Sequence, residues 1–447
     1  MHYKPLKYYL IILLFLPGLT VFARQEQDTV KTALPAVWTL QQCLDYAKQH
    51  NISINSLRLN KEASRQDLIA SKAAVLPDLY GSVSQNLSHN NRNEVGTSSA
   101  NVNGSAGIST SWTLYNGGYL RNDIRQKDLS VQSSNLSVLE AGNSISVQIV
   151  QAYLNILLDK ETILYAEDLV ATSKTQVSQM QQQYNVGAVA KKDLVQLSAQ
   201  LANDQYTLTT AQNAERQDKL NLKQLLQLPT GQSFDIVKPD SAIALAAIPS
   251  LNEVLTLALN TRPEMQNSKL GVDIAQLDLA KARAGYKPTI SLGGGIGTSY
   301  GNNSSYNAFN QLNDNFYQQI GITASIPIFT RKQNKTNEAK ARINVSQAEL
   351  DYQNTKTVLS QEVEQAFINA QNAGNQYTAS LEQLKYTQEA YRIAGEELRV
   401  GASNTVEYVQ QKNLYIQALQ AYTQAKYNAL LSLKIYEFYK GEPLTLK

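Results

Sequence analysis

The sequence predicts a mainly α fold with a small β-barrel portion: two long antiparallel helical hairpins forming part of an α-barrel, plus four transmembrane strands per chain. Three observations carry this. The chain of 447 residues repeats itself once. Each copy holds a pair of strictly alternating segments. Each pair is followed by a proline-free run too long for a globular helix.

The duplication comes first, because internal repeats define an architecture. Pro77-Asp78-Leu79 recurs as Pro288-Thr289-Ile290, Trp112-Thr113-Leu114-Tyr115 as Ile326-Pro327-Ile328-Phe329, and Val186-Gly187-Ala188 as Val400-Gly401-Ala402. These copies lie roughly 211–214 residues apart, and the drift falls between the two strand segments, where a loop absorbs it. Leu44, Ala47, Asn51 and Ile52 match Leu255, Ala258, Arg262 and Pro263 in spacing. The expected organisation is a first repeat over 24–250 and a second over 251–447. The first holds strands 79–89 and 102–115, a long helix 118–185, a return helix 189–228 and a linker 229–250. The second holds strands 289–300 and 316–329, a long helix 332–399 and a return helix 403–440. Pro229, Gly231, Pro239 and Pro249 mark the linker between them.

The N-terminus reads as a secretory signal peptide over 1–23. Lys4 and Lys7 precede the apolar stretch Tyr8 to Leu16, and Val21-Phe22-Ala23 offers small residues for cleavage near Ala23. No later run reaches the roughly 18 apolar residues of a membrane helix. The single cysteine, Cys43, allows no intrachain disulfide and reads as a small core residue.

In the strand segments, one set of alternate positions is apolar and the other uncharged and small. Leu79, Val83, Ile108, Trp112, Leu114, Ile290, Leu292, Ile322, Ile326 and Ile328 are the residues expected to face lipid. Asn101, Asn103, Ser105, Ser109, Ser82 and Ser84 oppose them. Segments of about ten residues with this pattern suit a membrane barrel, and Tyr80, Tyr115, Tyr300 and Phe316 could sit in its aromatic girdles. Four strands lie below the barrel minimum of about eight. Open edges in lipid would leave backbone groups unpaired, so other copies of the chain must complete the wall.

The proline-free runs correspond to roughly 68 helical residues, or about 100 Å at the α-helical rise. Ile149, Ile156, Ile163 and Val170 recur at seven, as do Leu194, Leu201 and Leu208 and the later Tyr408, Tyr415 and Tyr422. This spacing calls for coiled-coil packing. Ala418, Ala421, Ala425 and Ala429 would let helices approach closely. Glycine at Gly187 and Gly401 supplies the left-handed residue that ends a rod.

These residues resemble the TolC-like outer membrane factor family. The resemblance covers about 38 to 440. It rests on the duplicated order, Pro77 and Pro288 before the strands, the paired Val-Gly-Ala turns, and Asp193-Leu194 and Glu407-Tyr408 after them. It implies a homotrimer with a twelve-stranded barrel in outer membrane lipid, a helical tunnel across the Gram-negative periplasm, and a belt made by the termini and linker. It also implies a periplasmic adaptor docking on the tip turns Val186, Gly187, Ala188, Val400, Gly401 and Ala402. An inner-membrane transporter of the RND or ABC type would supply the energy. A periplasmic gate is expected on the second long helix, where Glu389 matches by spacing. Arg392 stands where a second acid would be, so the two also read as a surface i, i+3 pair.

The composition excludes other classes. A net charge of +3 with basic residues scattered among acids does not make a nucleic-acid face. His2, His50 and His89 are far apart, so no metal is expected. The glycine run 293–295 lacks the following Lys-Ser/Thr of a phosphate loop. With no nucleophile arrangement either, neither a cofactor nor an enzyme is expected, and a passive exit duct for efflux or type I secretion is. A coiled-coil fibre would carry one strand set and one rod, and a self-sufficient porin eight or more strands. Drug, metal, peptide and polysaccharide all remain possible cargo.

Overall fold

The computed structural model describes residues 35–89, 100–238, 247–302 and 306–445. The expected signal peptide lies outside the described residues, as does 239–246 of the linker.

The two repeats are built alike. In the first, α1 (Leu40–His50) and α2 (Ile52–Ala73) lead into β2 (Tyr80–His89) and β3 (Ala100–Asn116), then α3 (Tyr119–Asn185) and α4 (Lys191–Leu225). In the second, α5 (Leu251–Thr261) and α6 (Pro263–Ala284) lead into β5 (Thr289–Gly301) and β6 (Tyr317–Ser325), then α8 (Gln333–Val400) and α9 (Thr405–Lys440). A short helix, α7 (Ala308–Asp314), interrupts the second strand pair. The two-residue strands β1 (Val37–Trp38) and β4 (Asp235–Ile236) pair in parallel at the linker.

Local chemistry explains the starts and stops. Thr39 and Gln42 form a reciprocal capping box at α1. Asn51 caps α2 by accepting from Ser53 N and Ile54 N. Its counterpart Arg262 makes no such cap, but Pro263 at the first helical position has no N–H that needs one. Both rods end alike. Gly187 (φ 77°) and Gly401 (φ 75°) are left-handed, with Ala188 N donating to Gln183 O and Ala402 N to Glu397 O at the Schellman spacing.

The rods α3 and α8 hold 67 and 68 residues, so each spans about 100 Å. Alongside α3 lie α2 near the strands and α4 toward the tip. The gap between α2 and α4 is clasped where Ile52 N donates to Gln227 Oε1 at 2.9 Å. In the second repeat the equivalent junction is clasped differently. Arg262 at the head of α6 lies over the rings of Phe438 and Tyr439 at the foot of α9, 4.6 and 5.4 Å from their centroids. Near the strands the helices form one layer in the order α2, α3, α6, α8, matching the sheet order β2-β3-β5-β6 above them.

The largest apolar cluster sits midway along α3. Trp38, Cys43, Leu44, Ile149, Tyr153, Leu157, Leu222 and Ile236 meet there, and Leu430 and Leu444 of the second repeat join them. Cys43 is a fully buried core residue whose thiol burial pushes up to about 12. Along the seam, Ala418, Ala425 and Ala429 are buried, whereas Ala421 and Leu164 face outward in the single chain.

Candidate functional site: sheet, seam and tips

All pairs in the four-stranded sheet are antiparallel, and the register sorts its faces. Straight across the strands, Val83 meets Ala106, Ile108 meets Ile296, and Trp112, Leu292 and Ile322 stand in one row. The opposite face carries Ser82, Ser84, Ser105, Ser109, Ser291, Ser299 and Thr323, with Gly293, Gly295 and Gly297 between them. One face is therefore apolar and the other small, polar and uncharged. The apolar face lies open in the single chain, with Val83 at 86% and Ile322 at 70% exposure. Among the described residues, β2 and β6 each have one edge without a partner strand.

Four of the residues expected to face lipid lie outside the regular ladder. Ile326 and Ile328 lie beyond β6, which ends at Ser325, because Pro327 has no N–H to extend the ladder. Leu79 immediately precedes β2. Leu114 falls in a bulge, since Thr113 pairs with Ser291 but Tyr115 with Ile290, and the alternation slips by one there. Trp112 is tied to the helical layer, its Nε1 donating to Val75 O at 2.8 Å.

Helix α7 has no sequence signal in the strand pattern, and its role is visible only in the hydrogen bonds. It ends just before β6 begins, beside the part of β5 that β6 does not reach. Gly301 N donates to Gln311 Oε1 at 2.9 Å and Asn315 Nδ2 donates to Ser299 O at 2.7 Å. Two side chains four residues apart thus finish the ladder that β6 leaves incomplete.

At the far end, Val186, Gly187, Ala188, Val400, Gly401 and Ala402 are all exposed. The two turns lie side by side: Thr405 Oγ1 donates to Asp193 Oδ1 at 2.5 Å, tying the start of α9 to the start of α4. Behind them Met180, Leu197, Ala394 and Tyr408 form a small apolar cluster. Glu389 and Arg392 pair on α8 through bonds of 2.9 and 2.8 Å, both largely exposed in the single chain. The Arg392 hydrogen bonds hold the Glu389 carboxyl below its ordinary range.

Sequence reading missed the seam that joins the hairpins. Lys412 on α9 is fully buried and pairs with Asp204 on α4 at 2.7 Å, and Ser173 on α3 bonds both. Two heptads on, Lys426 meets both oxygens of Glu161 on α3 at 2.8 Å, and Tyr427 OH donates to the same carboxylate at 2.7 Å. Burial pushes Glu161 up, but the Lys426 and Tyr427 bonds and the Lys426 charge outweigh it, so its pKa lies below the ordinary value. A third link joins Gln176, Tyr408 and Tyr391, whose hydroxyls lie 2.8 Å apart. A faint signal existed: lysines 412 and 426 occupy the same heptad row as Leu419 and Leu433.

A sheet with an open apolar face and two free edges, mounted on paired rods that turn back at exposed tips, defines a membrane-channel subunit. The comparisons give it a family. The profile of the outer membrane efflux protein family matches residues 43–227 and 254–434. The chain is 24% identical over 424 residues to outer membrane protein TolC of Vibrio cholerae, covering 90% of this chain and 91% of that one. It is 21% identical to proteases secretion protein PrtF of Dickeya chrysanthemi, covering 86% and 84%. Its fold matches the Campylobacter jejuni CmeC outer membrane channel with a TM-score of 0.77 at 20% identity, over 91% of this chain and 87% of that. The chain belongs to the outer membrane efflux protein family. It is a channel protein of the Gram-negative outer membrane that extends into the periplasm.

Proposed function

We propose that three copies of this chain form a passive exit duct, a twelve-stranded barrel in outer membrane lipid continued by a periplasmic tunnel of six helical hairpins. The observation that carries the reading is the sheet: its apolar face is exposed and its two edges are open. Two copies would supply eight strands, a number whose interior side chains fill. Three is the smallest number that leaves a lumen, here walled mainly by serine, threonine, asparagine and glycine.

The free surfaces favour a closed ring. The β2 end of the layer exposes Ile52, Leu59 and Ile69 on α2, and the β6 end exposes Ile343, Leu350 and Val358 on α8. The two ends differ, so contact between copies is head-to-tail and closes by rotation. On this reading Val83, Ile108, Trp112, Ile290, Leu292 and Ile322 face lipid. The tips at Gly187 and Gly401 receive a periplasmic adaptor, and an energised inner-membrane transporter drives transport. Glu389 and Arg392 are assigned to the gate, because threefold symmetry would bring three such pairs around the axis. No step in this role requires bond chemistry. The relatives' names span efflux and protease secretion, so small molecules and polypeptides are the two cargo classes to test.

Membrane fractionation with gel analysis of unheated samples tests the duct. A heat-sensitive band at three times the chain mass in the outer membrane supports it, and a soluble periplasmic monomer overturns it. Deleting the chain should sensitise the cell to toxic compounds or stop export of a secreted protein.

A further inference from the structure

We infer that β6 of one copy pairs with β2 of the next in a single register, with Ile322 opposite Val83. The inference rests on the oligomer proposed above and adds which residues meet.

Three constraints select this register. The first is direction. In β5, Gly301 N and Ser299 O point toward the β6 side, where α7 meets them, so odd residues of β5 face β6. In β3, Ser111 O accepts from Asp78 N, so odd residues face the β2 side. Carrying this alternation through the pairings leaves even residues of β6 and odd residues of β2 with backbone groups at the free edges. Opposed pairs must therefore be even on β6 and odd on β2. The second constraint is the face. The same parity sets Gln318, Ile320, Ile322 and Ala324 on one side with Gly81, Val83, Gln85 and Leu87, which keeps the apolar face continuous.

Length is the third. β6 has nine residues and β2 has ten. With Ile322 opposite Val83, Tyr317 meets Ser88 and Ser325 meets Tyr80, and all of β6 is paired. Sliding two residues one way strands Ala324 and Ser325. Sliding two the other way carries Tyr317 past His89, the last residue of β2.

The same register also closes a barrel of ordinary tilt. From Gly81 the row runs straight across Ile108, Ile296 and Gln318. In the inferred register it continues into Leu87 of the next copy, six residues along β2 from Gly81. Six residues advance about 20 Å along a strand while four strands advance about 19 Å across, which gives a tilt of about 46°. Membrane barrels tilt by roughly 35–45°. Only a shift of this sign finds β2 residues to pair with.

Cysteine crosslinking in the full chain tests the register. Ser82 and Thr323 would be opposed on the polar face as a non-hydrogen-bonded pair, about 4.5 Å between Cα atoms, within disulfide range. The diagonal partners Tyr80 and Ser84 lie at about 7–8 Å from Thr323, outside it. Fully buried Cys43 can stay. Oxidised membranes carrying Ser82→Cys with Thr323→Cys should give covalent trimers on heated, non-reducing gels, at least tenfold more than Tyr80→Cys or Ser84→Cys with Thr323→Cys. An intact unheated trimer that crosslinks through Tyr80→Cys or Ser84→Cys instead, or through no pair, overturns the register alone. Absence of any trimer in unheated samples overturns the oligomer beneath it.

Discussion

At the scale of single residues, the buried charges decide which hairpin packs against which. Asp204 and Lys412 have no charged counterparts in the other repeat, where Ala418 and Ser198 stand in their places. Glu161 and Lys426 likewise correspond to Asn375 and Gln212. An acid-bearing hairpin therefore meets a base-bearing one. Breaking such a pair leaves a buried charge alone, so Lys412→Met should cost about 3–5 kcal/mol and lower the melting temperature of the solubilised protein. Adding Asp204→Leu should recover most of the loss, and a double variant no better than the single one would refute the pairing role. Asp159 behaves in the opposite sense. Burial, then the charges of Asp218 and Glu215, push it up to about 7, and its Oδ2 is buried without a hydrogen-bond partner. The folded chain therefore binds this proton more tightly than the unfolded chain does. Its contribution is greatest below pH 4 and is lost as pH rises through 7. Asp159→Asn should raise stability at pH 8 by about 1–3 kcal/mol and change little at pH 4, read as melting temperature across that range. Equal gains at both pH values would contradict the assignment.

At the scale of elements, the rod ends depend on two residues. Gly187 and Gly401 sit in the left-handed region with open space where a Cβ would be. Gly401→Ala should therefore cost only backbone strain, about 1 kcal/mol, without disrupting packing. Loss of assembly in that variant would show that the tip also contacts something the single chain does not contain. The strands, rods and turns were legible because each follows from a local period or a local glycine: two for Val83 through Leu87, seven for Ile149 through Val170. What escaped depends on partners distant in sequence. Gln311 and Asn315 complete a ladder only after the strands are in register, and Lys412 gives no sign of burial until α3, α4 and α9 converge. Ile326 and Ile328 continue the alternation in sequence, but Pro327 between them withdraws the backbone donor that membership in the strand requires.

At the scale of the whole molecule, a wall that is open on both sides should not persist alone in lipid. Reconstituted protein should show conductance steps of one size, each from a complete ring, and conductance that scales linearly with protein at high dilution would argue for a self-sufficient monomer. The two open sides are also unlike, and this governs how faults spread. A copy carrying Ile322→Pro keeps a sound β2 and can still be accepted by a neighbour, yet offers nothing to the molecule after it. One such member spoils the circle it joins. Coexpressed in equal amount with the normal chain, it should leave only about one in eight of the proposed three-copy rings intact. In the proposed three-copy ring, a defect that would be recessive in a single-chain pore becomes dominant.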